Sequence, residues 1–310
     1  MDGTDTSVRR RRFRRKEAEW KEPTARELAL LGHIARHRFL SNADLAVLDG
    51  GSAQNVTRIM GSLYDRGLVE RPKAQVSTWA AEGVQSLIYG LSNRGARLLH
   101  GRRDNEDHSE NNRRAGVFFV HHTAETGSFF ARLEVACDRD PDIELLTQQD
   151  IIADAPEATR KMRESLRIKT TPASGQENER LITSVIPDGA FGLAFADDTA
   201  SYFFVELDRG TMPVTRKGNS RTSMKRKFAI YLDAWRGGVF ERQFGIPHAR
   251  ILTITTSKER IKTMIEAVKL LTDGKGSGLF LFIDRKSLES ASPLSVEWLS
   301  GKGERVSLLG

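Results

Sequence analysis

Ile182-Thr183-Ser184-Val185-Ile186-Pro187-Asp188-Gly189, Tyr202-Phe203-Phe204-Val205-Glu206-Leu207-Asp208-Arg209-Gly210-Thr211 and Lys225-Arg226-Lys227-Phe228-Ala229-Ile230-Tyr231 are the runs on which the fold of this chain turns. The first is strand-like and stops at a Pro-Asp-Gly turn. The second is apolar on both faces up to Val205, which predicts a central strand with carboxylates at its buried end. In an extended strand Glu206 and Asp208 share a face, so both can reach one cation. Unpaired carboxylates at such a place are costly unless a cation neutralises them, and Asp188, closing the preceding strand, would complete the set. Oxygen-only ligands suit Mg2+ or Mn2+ better than zinc. In the third run Lys227 and Tyr231 stand one helical turn apart on a common face, with Lys225 as the alternative amine. A cation held by Asp188, Glu206 and Asp208 would acidify a bound water and stabilise charge on a scissile phosphate, with Lys227 placing that water or the phosphate. The competing reading treats Pro-Asp-Gly as an ordinary turn and Glu206 and Asp208 as a solvated strand end beside Arg209.

Working outward, the 310 residues suffice for two domains, and an apolar fraction of 39% suffices for packed cores. No apolar run approaches the roughly 18 to 20 residues of a membrane span, and the charged N-terminus lacks the apolar stretch of a secretory signal, so a cytoplasmic protein without membrane insertion is expected. The one cysteine, Cys137, excludes an internal disulfide or a thiolate zinc cluster and reads as a small core residue. Net charge is +7, and the seven basic residues Arg9, Arg10, Arg11, Arg12, Arg14, Arg15 and Lys16 equal that excess. This arm, over residues 1–19, repels itself and has no apolar face, so disorder until it meets a polyanion is expected. Neutralising phosphates would give it salt-sensitive, sequence-blind affinity for nucleic acid.

Residues 20–101 carry a helical order. Thr24 with Glu27 has capping-box spacing, followed by Leu28, Leu31 and Ile34 at helical intervals. Ser41-Asn42 opens a short helix ending at Gly50-Gly51, and a third helix from Ser52 turns Val56, Ile59, Met60 and Leu63 inward. Strands near Leu68–Arg71 and Ser86–Leu91 and a closing helix from Ser92 complete the order of a winged helix-turn-helix. Its third helix would enter the major groove of double-stranded DNA at a specific site, with Gln54, Asn55, Thr57 and Arg58 as candidate contacts. A winged helix used for protein contacts is the alternative.

Residues 102–115, without an apolar side chain through Arg114, read as a linker to a domain at 116–310. That domain begins with a long helix to about Cys137. Residues 156–180, polar and broken by Thr171-Pro172-Ala173-Ser174-Gly175, read as an insertion. Beyond it strands at 249–255 and 279–283 alternate with a Ser257-capped helix, which implies an α/β layer around a central mixed sheet flanked by helices.

Pro187-Asp188, a strand, then Glu-x-Asp where an acidic-x-Lys pattern is usual resembles the PD-(D/E)XK restriction-endonuclease-like fold with its lysine moved to the next helix. More closely, a winged helix followed by His122, Pro187-Asp188-Gly189, Phe204 to Thr211 and Lys227-x-x-x-Tyr231 resembles the replication-relaxation family, within it the MobC-class relaxases of mobilisable plasmids. The resemblance implies an enzyme that binds an origin of transfer and nicks one strand with Asp188, Glu206 and Lys227 in a metal-dependent manner, alongside other relaxosome or conjugation proteins. The alternative within the same resemblance is a non-cleaving DNA-binding accessory or regulatory role in plasmid transfer or replication. An acidic helix residue, Glu125 or Glu134, would complete such a site.

Other motifs add little. His121-His122 lacks the His-x-His spacing of the histidine-triad relaxases, and Gly274-Lys275-Gly276-Ser277-Gly278 precedes a strand and has the wrong spacing for a phosphate loop. Tyr231 reads as a packing residue or, alternatively, a nucleophile.

Overall fold

A computed structural model describes residues 13–78, 86–101, 107–170, 184–215 and 223–310. Arg9 to Arg12, residues 79–85 between the two expected strands, and part of the expected insertion, 171–180, lie outside them. The chain divides into two compact units, Met1–Val135 and Ala136–Gly310.

In the first unit, helix α1 (Ala25–His37) starts at the Thr24–Glu27 capping box, in which each residue's side chain accepts the other's backbone N–H. Strand β1 (Phe39–Ser41) follows, then α2 (Asn42–Asp49), whose Ser41–Asp44 box opens it and whose left-handed Gly50 (φ 68°) closes it. Helix α3 (Ala53–Asp65) buries Val56, Met60, Leu63 and Tyr64, leaving Gln54, Thr57 and Arg58 exposed. Strands β2 (Val69–Glu70) and β3 (Ile88–Leu91) join β1 in an antiparallel sheet of order β1-β3-β2, and α4 (Asn93–His100) follows from Ser92. The strands expected at Leu68–Arg71 and Ser86–Leu91 are thus shorter, and β1 was unanticipated. Three residues, of which Phe39 and Leu40 are both fully buried, are too few to display a two-residue period.

The stretch read as a linker is partly folded. Helix α5 (His108–Arg114) is capped by Asp107 and inserts the buried amide of Asn112 against the β3 backbone, donating to Leu91 O at 2.8 Å. Ser109 and Asn93 exchange hydrogen bonds, Ser109 N to Asn93 Oδ1 at 2.9 Å and Asn93 N to Ser109 Oγ at 3.2 Å. Polar side chains, not an apolar face, hold this helix down, so apolar patterning gave no sign of it. The long helix α6 (Val117–Asp138) places Val120 and Ala124 in a cluster with Phe39 and Ile88, and its Gly127 lies so close to Phe39 O that a Cβ there would sit at 2.8 Å. Up to Val135 it therefore packs with the first unit, whereas the sequence reading began the second domain at residue 116.

The second unit is built on a seven-stranded mixed sheet, order β12-β11-β10-β9-β8-β7-β4. Its strands are β4 (Ile143–Leu146), β7 (Gly189–Phe195), β8 (Ala200–Leu207), β9 (Ala249–Thr255), β10 (Phe280–Asp284), β11 (Trp298–Ser300) and β12 (Arg305–Val306). Between β4 and β7 lie α7 (Gln148–Asp154), α8 (Glu157–Arg160) and a separate two-stranded ribbon of β5 (Ile168–Lys169) and β6 (Ser184–Val185). Strands β8, β9 and β10 run parallel, connected by α9 (Met224–Arg236) with α10 (Val239–Phe244) and by α11 (Lys258–Leu270), and α12 (Arg285–Glu289) follows β10. The α/β fold with a mixed central sheet flanked by helices is as expected. Helices α9, α10 and α11 contribute Phe228, Tyr231, Phe240, Phe244, Met264 and Val268 to a core that also takes Phe204, Phe280 and Phe282 from the strands.

Candidate active site

Helices that follow parallel strands begin above the strands' carboxyl ends, so the end of β8 and the first turns of α9 and α11 meet at one edge of the sheet. Because β7 runs antiparallel to β8, with Gly189 opposite Val205, its start lies at that same edge. Asp188 is therefore beside the end of β8, where its Oδ2 accepts from Leu207 N at 2.7 Å and its own N–H donates to Val205 O at 2.8 Å.

Glu206 is 1% exposed, in a strand with neighbours on both sides. Its two oxygens receive different donors from α9: Lys227 Nζ reaches Oε2 at 2.5 Å and the Tyr231 hydroxyl reaches Oε1 at 2.6 Å. The i, i+4 spacing puts both donors over one carboxylate. Burial raises the Glu206 pKa, against the attraction of Lys227, and nearby Asp188 adds to the rise. Burial also works against the Lys227 ammonium, but Glu206 and Asp188 together outweigh it and lift its pKa. The two donors aimed at Glu206 favour its ionised form against burial, and the Lys227 side chain still reaches solvent, 25% exposed. Tyr231, 0% exposed, has its pKa pushed well above 10, first by burial and then by Glu206. It is a neutral hydrogen-bond donor enclosed by protein, not an accessible nucleophile.

Asp208 departs from its expected place. Strand β8 ends at Leu207, and the Asp208 carboxylate turns to Arg260 in the first turn of α11. Arg260 Nη2 donates to Oδ1 at 2.8 Å, Arg260 Nε donates to Oδ2, and the Thr255 hydroxyl donates to Oδ2 at 2.5 Å. Burial would raise the Asp208 pKa, but Arg260 and Thr255 hold it below the usual carboxylate value. The three-carboxylate set of Asp188, Glu206 and Asp208 is thus not assembled, because a protein guanidinium already neutralises the third member. Among the described residues no group of three or more His, Cys, Asp or Glu is arranged to hold a metal ion. Asp188 and Glu206 remain a pair of hard oxygen donors beside a lysine, a set that suits Mg2+ or Mn2+ when phosphate oxygens complete the coordination.

Arg260 and Thr255 are site residues that the sequence reading missed. Their signal was positional: β9 lies parallel beside β8, so the last residue of β9 and the first turn of the next helix necessarily face the end of β8. Of the two candidate amines it is Lys227, not Lys225, that meets Glu206. Glu134, offered as an additional acid, is engaged in the first unit by Arg36 Nη1 at 2.8 Å and His37 Nε2 at 3.0 Å, with His33 Nδ1 at 3.8 Å. Glu125 lies on the same helix, α6.

On the first unit, α3 presents Gln54, Thr57 and Arg58 to solvent, with Asn55 half-buried and its Oδ1 accepting from Arg58 Nη2 at 2.9 Å. Part of the basic arm is not free. Arg15 donates to Tyr64 O at 2.9 Å and Val69 O at 3.1 Å, pairs with Glu70 at 3.0 Å and lies over the Tyr64 ring. Lys16 N–H donates to Asp65, and Phe13 O accepts from the Tyr64 hydroxyl at 2.8 Å. The arm is anchored at the C-terminal end of α3, with the Arg15 guanidinium bonded within the protein and Arg14, Arg15 and Lys16 all at the surface. Among the described residues no helix is long and apolar enough to cross a membrane.

The replication-relaxation family model matches residues 31–248, more than two thirds of the chain and most of both units. Neither a curated protein nor a solved structure matches it.

Proposed function

Since the chain belongs to the replication-relaxation family, we propose that it is a DNA-binding strand nickase of the relaxase type, acting in the cytoplasm at an origin of transfer with other relaxosome or conjugation proteins. The observation that carries this reading is the convergence of Asp188, Glu206 and Lys227 at one sheet edge, with Lys227 Nζ 2.5 Å from the Glu206 carboxylate. Two acidic groups and an amine in that order are what a PD-(D/E)XK-type phosphodiesterase needs, with the amine delivered from α9 because Asp208 occupies the usual lysine position and is held by Arg260.

Asp188 and Glu206 would hold Mg2+ or Mn2+, which when bound supplies an acidified water and charge stabilisation on the phosphate. Lys227, beside the Glu206 carboxylate and partly open to solvent, would offer its ammonium to a phosphate oxygen. Tyr231 keeps Glu206 Oε1 fixed meanwhile. The first unit is read as a winged helix-turn-helix that places α3 in the major groove of double-stranded DNA, with Arg58, Gln54, Asn55 and Thr57 at the base edges and Arg9 to Arg12, Arg14 and Lys16 along phosphates.

A second reading, a non-cleaving DNA-binding accessory or regulatory protein, draws on a specific observation too: both oxygens of Glu206 and of Asp208 already accept from protein donors. Supercoiled plasmid bearing the element's own transfer origin, incubated with the protein and Mg2+ or Mn2+, separates the two. Open-circle product that disappears in Glu206→Ala and Lys227→Ala is expected. No conversion by wild type would give the accessory reading its place, and equal conversion by both variants would overturn Glu206 and Lys227 as the cleavage site.

A further inference from the structure

A cavity of about 680 Å³ opens beside Asp188, lined from α7 round to the loop before β7. Its volume lies within the roughly 300 to 1,000 Å³ of small-ligand sites, so one nucleotide with its sugar fits. One wall holds Arg160 and Arg163. Neither has a carboxylate partner among the described residues, whereas their neighbours are neutralised: Lys161 by Glu157 at 2.6 Å, and Glu164 by Arg167. Another wall holds the amides of Gln148 and Gln149, and Ile186, 37% exposed, supplies an apolar face next to Asp188.

The chain segment that carries the two arginines is tied to Gln243 of α10. Gln243 Nε2 donates to Ser165 O at 3.1 Å and to Arg167 O at 2.9 Å, and its backbone carbonyl accepts from the Thr159 hydroxyl at 2.5 Å. A pair of exposed guanidiniums, amide groups able to meet base edges and an apolar surface for a ring form a composite that fits an unpaired nucleotide better than an isolated phosphate or a hydrophobic molecule. Duplex DNA does not offer a separate base, so the occupant is a nucleotide drawn out of the stack or already single-stranded.

We propose that this cavity, resting on the nickase reading above, receives the nucleotide next to the scissile phosphate, with Arg160 and Arg163 on the flanking phosphates and Asp188 at the boundary with the cleavage site. The substrate is then a locally melted strand, not an intact duplex.

A short fluorescein-labelled oligothymidine carrying one 4-thiothymidine, mixed with the full chain and irradiated, tests this. The expected crosslink lies on peptides containing Gln148, Arg163 or Ile186, and R160A/R163A abolishes it. That double substitution should also weaken oligonucleotide binding by about tenfold or more and lower the salt slope by about 1.4, as two single-strand phosphate contacts require. Both arginines are exposed, and a circular dichroism melt matching wild type shows that the fold is intact. Crosslinks confined to the first unit, or unchanged binding by the double variant, would overturn the proposal. A wild type that crosslinks in the cavity yet never nicks plasmid would instead refute the nickase reading and leave the cavity assignment standing.

Discussion

Replacing Lys227 by Met is the most informative single change, because it removes the cation from a carboxylate that has almost no solvent. Glu206 is 1% exposed, and its two oxygens are held by Lys227 and Tyr231 alone on the α9 side. Breaking a buried ion pair by deleting one partner costs about 3–5 kcal/mol. The surviving Tyr231 bond and the 25% exposure of the lysine side chain argue for the lower end, about 3 kcal/mol. Two units make a global unfolding midpoint hard to assign, so the measurement is local: hydrogen exchange, corrected for intrinsic rates, on peptides spanning Ala200–Leu207 and Met224–Arg236. About 3 kcal/mol corresponds to roughly a hundredfold faster exchange there. Glu206→Gln alone should cost less, since Lys227 can turn to solvent, and adding Lys227→Met to it should cost little more, giving a coupling of about 2 kcal/mol. The pH dependence has a sign. In Lys227→Met the folded-state pKa of Glu206, already raised by burial, rises further, so stability is retained below the ordinary value of 4.5 and lost as pH rises through the folded value. Exchange in Lys227→Met no faster than about threefold over wild type, or single effects that simply add, would refute the ionised buried pair on which the site description rests.

Other expectations follow from the same geometry. Tyr231→Phe should leave the protein folded, lower local stability by about 1–3 kcal/mol, and move the pH onset of nicking upward as Glu206 loses a donor; complete loss of nicking together with loss of a trapped covalent adduct would instead make Tyr231 a nucleophile. Asp208→Asn should destabilise at neutral pH by weakening the Arg260 bridge. Because the folded pKa of Asp208 is held below the ordinary 3.8, the gap to wild type should be complete above that value and close as pH falls through the lowered one, as read by chemical denaturation of the second unit. Arg58→Ala should weaken binding to the specific site by about 1–3 kcal/mol with little change on random DNA, whereas removing the residues before Phe13 should weaken both alike and flatten the salt dependence, measured by fluorescence anisotropy across a salt series. Asn112→Leu should loosen α5 from β3, read as faster exchange in Ile88–Leu91, since Leu91 O would lose its amide donor.

What the sequence disclosed and what it hid divide along physical lines. Caps and apolar periods are local, so Thr24, Ser41, Ser52 and Ser257 marked helix starts correctly, and the doubly apolar run before Glu206 marked a central strand. Pairings between distant residues have no local period. Asp208 looked like a ligand because it stands two residues from Glu206, yet strand geometry ceases at Leu207 and its nearest cation is 52 residues away in the chain. Arg15 looked like a phosphate contact because it sits in a basic run, yet Tyr64, Val69 and Glu70 hold it. In both cases a charge pattern was read as a ligand pattern, and the fold supplied the counter-charge. The same comparison strengthens the cavity beside Asp188: there the neighbouring charges are matched within the chain, Lys161 with Glu157 and Arg167 with Glu164, while Arg160 and Arg163 have no carboxylate partner among the described residues, which is the arrangement expected where a phosphate is to supply the missing charge.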